Sequence, residues 1–102
     1  MKIVGIQRLD AFGVRHSDAA KALREWICGA QNERWNSPQA ILRMFPRASA
    51  IGGNRVVFRI RGNKYRLIVH VSFAFGRVLV KFIGIHAEYD RIDPETVSWR
   101  KK

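Results

Sequence analysis

The chain carries one cysteine, Cys28, in 102 residues, so neither a disulfide framework nor a Cys-based zinc site can be built from it. Its three histidines have no second His or Cys at metal-ligand spacing, and no metal site is expected. No apolar run approaches the roughly 20 residues that a membrane-spanning helix needs. Met1–Leu9 is short and mixed, without the apolar stretch of a secretory signal. Internal repeats, low-complexity tracts, a Gly-rich phosphate loop, a nucleotide-binding lysine motif and a Ser-His-Asp constellation are all missing. These absences predict a protein of the reducing cytoplasm, without membrane association and without a cofactor. Acid is scarce beside base: 8 Asp+Glu stand against 19 Lys+Arg, a formal net charge of +11. Self-repulsion on that scale disfavours the compact state, so a polyanionic partner is the natural expectation.

Hydrophobic residues make up 47% of the chain, enough for a core, and the length predicts one domain over 1–102 with a frayed tail at 99–102. Lys2–Arg8 reads as a short edge strand, and Leu9–Val14 as a helix weakened by Gly13. Ser17 offers an N-cap, with Asp18 in the first turn where the helix dipole favours negative charge. Ala19, Ala22, Leu23, Trp26, Ile27 and Ala30 recur at spacings of three and four, which predicts a helix over 17–30 with Trp26 and Ile27 in the core. Cys28 reads as a partly buried packing residue. Ser37-Pro38 is a second helix start, a capping Ser before a Pro at the first helical position, and Pro46 marks the end of that helix. Trp35, in the loop between, is expected to lie over the core. Arg47–Gly53 reads as a bridge.

Residues 54–90 organise the rest. Three antiparallel strands are predicted, Asn54–Arg61, Lys64–Phe73 and Arg77–Ile85, with Gly62-Asn63 and Phe75-Gly76 as the turns. Side chains alternate between sheet faces. Val56, Phe58 and Ile60 therefore share a face with Tyr65, Leu67, Val69 and Val71, and helices should cover it. The other face carries Arg55, Arg59, Arg61, Lys64, Arg66, His70, Arg77 and Lys81. Not one acid lies between 54 and 87. The two-residue turn sets Arg61 against Lys64, Arg59 against Arg66 and Arg55 against His70, and Lys81 should lie opposite His70. Like charges directly opposite destabilise a sheet, which makes sense if a phosphate sits over them. The strict alternation that builds this face has one awkward result: it places His86 on the core face beside Phe82. The end of a strand can twist or bulge, and a short turn from 86 to 91 would free it.

A basic surface ending in His86 and Tyr89 suits cleavage of RNA through its own 2′-hydroxyl. That reaction needs a base for the hydroxyl, cations for the crowded phosphate and an acid for the leaving oxygen. A histidine titrates near neutral pH and fits acid or base work. Arginine forks match phosphate oxygens, and tyrosine can give a proton or stack on a base.

The run VVFRIRGNKYRLIVHV, followed by IGIHAEYD, resembles the HigB-type toxin family of type II toxin–antitoxin systems, within the RelE-like superfamily. The likeness extends through His16-Ser17-Asp18-Ala19, Trp35, the Ser37-Pro38 helix and Phe45-Pro46. It implies an α+β RelE-like fold, with N-terminal helices on one face of a small antiparallel sheet of three to four strands. It also implies mRNA interferase activity without metal, often on the translating ribosome. The partners it implies are mRNA, the ribosome and a HigA-type helix-turn-helix antitoxin, with DNA met only through the toxin–antitoxin complex. Members commonly have Asn at Arg59, Lys at Arg61 and Thr at Ile85. The two arginines keep or raise the positive charge, whereas Ile85 removes a hydroxyl beside His86. On this reading His86 and Tyr89 carry the proton transfers, Arg61, Lys64 and Arg66 stabilise the phosphate, and Arg55, Arg59, His70, Arg77 and Lys81 bind RNA. Asn63 would hold the hairpin turn, and Asp90 would orient or cap rather than react. A non-enzymatic module that blocks translation by occupancy would use the same basic face. A DNA-binding regulator acting alone fits least, because no helix is enriched in base-reading residues.

Overall fold

A computed structural model describes residues 1–99. The chain runs through β1 (Lys2–Val4), α1 (Ile6–Arg15), α2 (Ser17–Gln31), α3 (Pro38–Met44), β2 (Ser49–Ile51), β3 (Arg55–Ile60), β4 (Tyr65–Ser72), β5 (Arg77–Ile85) and α4 (His86–Tyr89). The sheet order is β1-β5-β4-β3-β2, with β1 parallel to β5 and every other pair antiparallel. This is the expected α+β class, with a mixed sheet of five strands rather than an antiparallel one of three to four. The fifth strand, β2, comes out of the segment read as a bridge.

Local chemistry explains the ends. β1 stops at Val4 because Gly5 turns left-handed (φ 104°) and lies so close to Val80 that a Cβ would come within 3.0 Å of its side chain. The predicted strand Lys2–Arg8 is thus cut short, and α1 begins at Ile6. Ser37 caps α3 as expected, accepting the Ala40 amide at 3.3 Å. Ser17 does not cap α2: it is the first helical residue, behind His16. Cys28 is exposed rather than packed, with the Asn32 amide 3.4 Å from its sulfur.

The helices cover the face predicted to be apolar. Leu9, Phe12, Leu23, Trp26 and Ile41 are buried against Val56, Phe58, Tyr65, Leu67, Val69, Val71, Val78 and Val80. Trp35 lies over this core as expected, 3% exposed and edge-on to Phe45. The indole N–H groups of Trp26 and Trp35 are buried without a hydrogen-bond partner.

The opposite face is not uniformly basic. Val57 and Ile68 lie in its middle and are buried. The segment after α4 returns across this face. The Arg55 guanidinium donates to the carbonyls of Pro94 (3.1 Å) and Val97 (2.6 Å). The Trp99 indole donates to the Val80 carbonyl at 2.7 Å, with Arg8 stacked 4.1 Å from its ring. Trp99, assigned to the frayed tail on sequence grounds, is therefore anchored. The remainder of that tail, 100–102, lies outside the described residues.

One irregularity decides the geometry of the site. β4 and β5 pair Val69↔Val80 and Ile68↔Phe82, leaving Lys81 as an extra residue. This β-bulge shifts the alternation by one. Before it Val78 and Val80 face the core; after it Ile83 does, opposite Leu67. Phe82 and Gly84 therefore fall on the face of Ile68 and Arg66. The strand ends at Ile85 and His86 opens a short helix, so strand alternation no longer sets its direction. The expectation that Lys81 opposes His70 is corrected: His70 pairs with Leu79.

Candidate functional site

Three elements meet where β4 begins and β5 ends. The hairpin register is the predicted one, with Arg59↔Arg66 and Arg55↔His70. Its loop differs: Ile60 pairs with Tyr65, so four residues make the connection, and the left-handed positions are Arg61 (φ 53°) and Gly62 (φ 63°), not Gly62 and Asn63. The Arg66 guanidinium folds back to donate to the Asn63 carbonyl at 2.7 Å, so Asn63 contributes its backbone. Beyond β5, the His86 amide donates to the Lys64 carbonyl (3.2 Å), and α4 starts there. The Glu88 carboxylate accepts the Ile85 amide at 3.0 Å and fixes that first turn.

This sets Arg59 across from Arg66 and Arg66 against Tyr89, with His86 three residues before Tyr89 on α4. Gly84 lies directly opposite Arg66 and leaves no side chain between strand and helix. A Cβ there would come within 2.6 Å of the Phe82 ring and 2.9 Å of the Glu88 carboxylate. The Arg66 guanidinium carbon sits 5.6 Å from the Tyr89 ring centre, within cation–π range. Arg66 is 6% exposed and is the one buried charged residue among those described. Among the described residues no carboxylate pairs with it. A buried cation without a counter-ion is costly, and Arg59 beside it adds a second charge with no acid. The imidazole of His86 is half exposed, and its Nδ1 lies 3.2 Å from the Asp90 carboxylate one helical turn on. The carboxylate charge beside Nδ1 favours the tautomer that carries its proton there.

The other predicted residues are placed elsewhere. Lys64 and Arg61 reach around the sheet end to Asp18 at the start of α2. Lys64 Nζ lies 2.6 Å and Arg61 Nε 3.5 Å from the same carboxylate oxygen. The Tyr65 hydroxyl donates to the second oxygen at 2.6 Å. The hydrogen bonds from Lys64 and Tyr65 hold the Asp18 carboxyl at about 2, and the Lys64 ammonium is raised in return. The anion expected over Arg61 and Lys64 is therefore supplied, in this structure, by the chain itself.

Arg55 is tied to the C-terminal segment, and His70 is half-buried. Burial first, then the charges of Lys81 and Arg55, push the His70 pKa down, so it stays neutral at neutral pH and adds no cation for phosphate. Arg77 pairs with Ser72 at the far end of β4, seven residues from the Tyr65↔Ile85 pair. At ~3.3 Å per residue that is roughly 23 Å, too far to share a phosphate with His86. Lys81 keeps the basic face but sits in the bulge.

Sequence reasoning missed Asp18 as the partner of the hairpin tip and the C-terminal segment as a cover. Trp99, a bulky apolar residue in a polar stretch, was the available signal for the second. Among the described residues no three His, Cys, Asp or Glu side chains converge as a metal site would require. Among the described residues no helix is long and apolar enough to cross a membrane.

Fold and site together define a small, strongly basic α+β protein with paired arginines, Arg59 and Arg66, near one end of its sheet. Residues 19–92 match the model of the HigB toxin family, described as the RelE-like toxic component of a toxin–antitoxin system. That match spans well over half of the chain, and the protein belongs to the HigB toxin family. A comparison with curated proteins gave no match.

Proposed function

We propose that this toxin is a metal-independent endoribonuclease that cleaves mRNA on the translating ribosome in the cytoplasm, and so arrests translation and growth. The observation that carries the reading is the guanidinium of Arg66 against the Tyr89 ring, with no carboxylate paired to it among the described residues, and the exposed His86 on the same short helix as Tyr89. A phosphodiester held by Arg66 and Arg59 gains charge-assisted hydrogen bonds that strengthen as its oxygens accumulate charge. The 2′-oxygen attacks phosphorus and gives up its proton; the bond from phosphorus to the 5′-oxygen breaks, and that oxygen takes a proton. The products are a 2′,3′-cyclic phosphate and a 5′-hydroxyl. His86 Nε2 performs one proton transfer, and Tyr89 either performs the other or stacks on the neighbouring base. Arg61 and Lys64 stabilise the phosphate if the ligand draws them from Asp18. A HigA-type helix-turn-helix antitoxin is the proposed partner, and DNA is met through the toxin–antitoxin complex.

The test supplies purified protein and translating ribosomes, with a chelator present, and maps new RNA ends. Wild type should produce them, and His86→Ala should fold yet lose both cleavage and growth inhibition. If wild type binds RNA but makes no new ends, the protein blocks translation by occupancy instead. A fully toxic His86→Ala would remove His86 from the mechanism.

A further inference from the structure

Strand β3 is an edge strand for half its length. β2 pairs with it only from Arg55 to Val57, and among the described residues no strand flanks Phe58, Arg59 and Ile60 on that side. Their outward amides and carbonyls are an open template for another strand. Alongside lies a cleft of about 400 Å³, walled by Trp26 of α2, by Phe58, by Met44 at the end of α3 and by Phe45 and Pro46 beyond it. Trp26 and Phe45 each meet the Phe58 ring edge-on at 5.2 Å, which fixes the walls. Met44, at the mouth, is 39% exposed. Arg47, Arg59 and Arg61 stand on the rim against one acid, Glu25. His86 and Tyr89 do not line this cleft.

An unpaired strand edge, an apolar cleft and a cationic rim together fit an extended acidic peptide. Such a peptide would add as a strand, with a bulky apolar side chain in the cleft and carboxylates at the rim. RNA would satisfy the rim but has no peptide backbone to continue the sheet. A second copy of this chain would bring a second charge of +11 against the first. Family membership names a toxic component of a two-part system, and its partner, the antitoxin, is the occupant the chemistry fits.

We infer that the antitoxin docks here, through an extended acidic segment that pairs with β3 along Phe58–Ile60. Arg59 belongs both to this rim and to the cation pair beside Arg66. Docking therefore withdraws Arg59 from the phosphate. That consequence rests on the RNA-cleaving reading, whereas the docking does not.

The experiment uses the full chain and its cognate antitoxin. Hydrogen exchange at Phe58–Arg61 should slow in the complex, with no slowing along β1, the strand at the opposite end of the sheet. Met44→Glu places a carboxylate at the cleft mouth and should weaken antitoxin binding by about tenfold or more. Growth inhibition should persist, so antitoxin co-expression no longer rescues cells making the variant. Arg47→Glu provides the same test on the rim should Met44→Glu fold poorly. Unchanged exchange at 58–61, or rescue of both variants as complete as for wild type, would overturn the inference. So would protection that grows with toxin concentration alone, or protection by an RNA oligonucleotide alone. If the toxin proves not to cleave RNA, the exchange and affinity readouts still decide the docking site.

Discussion

Deleting Lys81 should leave the protein folded, even though the residue sits inside the strand that leads into His86. On β4, the partners of Val80 and Phe82 are the adjacent residues Val69 and Ile68. Removing Lys81 therefore joins two pairs that are already neighbours. Val80 and Ile83 keep their core positions, and Gly84 stays opposite Arg66. The loss is confined to the irregularity, where Trp99 donates to the Val80 carbonyl. One such hydrogen bond contributes roughly 0.5–1.5 kcal/mol, and each kcal/mol moves the melting temperature of a domain this size by about 4–8 °C. Deleting Leu79 is the contrasting case. The strand then runs without a bulge, Val80 turns outward and Lys81 turns into the core. Exposing Val80 costs about 1.5–3 kcal/mol, and burying an unpaired ammonium costs several more, against a total stability of about 5–15 kcal/mol. Urea titrations followed by circular dichroism would compare the two deletions, with RNA cleavage as a second readout. The bulge reading fails if both deletions are equally destabilising, or if the Leu79 deletion is the better tolerated.

Asp18 sets an acid limb. Its carboxyl falls from 3.8 in the unfolded chain to about 2 in the fold, so its contribution is fully present above the unfolded value and disappears as pH falls through about 2. Stability measured against pH should drop less steeply over that window in Asp18→Asn, and parallel curves would sink the assignment. Arg55→Ala frees the Pro94 and Val97 carbonyls and should cost about 1–3 kcal/mol while speeding proteolysis after α4. A loss of RNA affinity at unchanged stability would return Arg55 to the RNA surface. Asp90→Asn weakens the hold on the His86 tautomer. Because that pair is half exposed, a turnover loss of only about twofold to fivefold is expected, from a coupling of roughly 0.5–1 kcal/mol. A loss of several hundredfold would mean that Asp90 takes part in the proton transfer itself.

The central hairpin was legible because a short turn and strict alternation leave no freedom: the Arg59↔Arg66 and Arg55↔His70 pairs follow from them. The apolar face was equally readable from Val56, Phe58, Leu67 and Val69. The facing of Phe82 and Gly84 was not. Lys81 looks like any outward-facing polar residue, and nothing in a single sequence marks the spot where one residue drops out of the ladder. The Asp18 contacts to Lys64 and Tyr65 bridge 46 and 47 residues, and no local pattern points across such a gap. β2 escaped notice because Ser49–Ile51 is too short to show alternation. The tie between Arg55 and the C-terminal segment runs to carbonyl groups of Pro94 and Val97, which every sequence possesses.

The unpartnered indoles have an optical consequence. Trp26 and Trp35 are enclosed in hydrocarbon with no hydrogen bond at nitrogen, so their emission should lie to the blue. Trp99, hydrogen-bonded to a carbonyl and stacked beside the Arg8 guanidinium, should emit to the red of them. Because Trp26 walls the cleft and Trp35 does not, a bound segment changes the surroundings of one fluorophore and not the other. Trp99 reports separately on the strap across the sheet. Single-tryptophan variants would follow partner docking, core opening and strap release in the same cuvette, without an added dye.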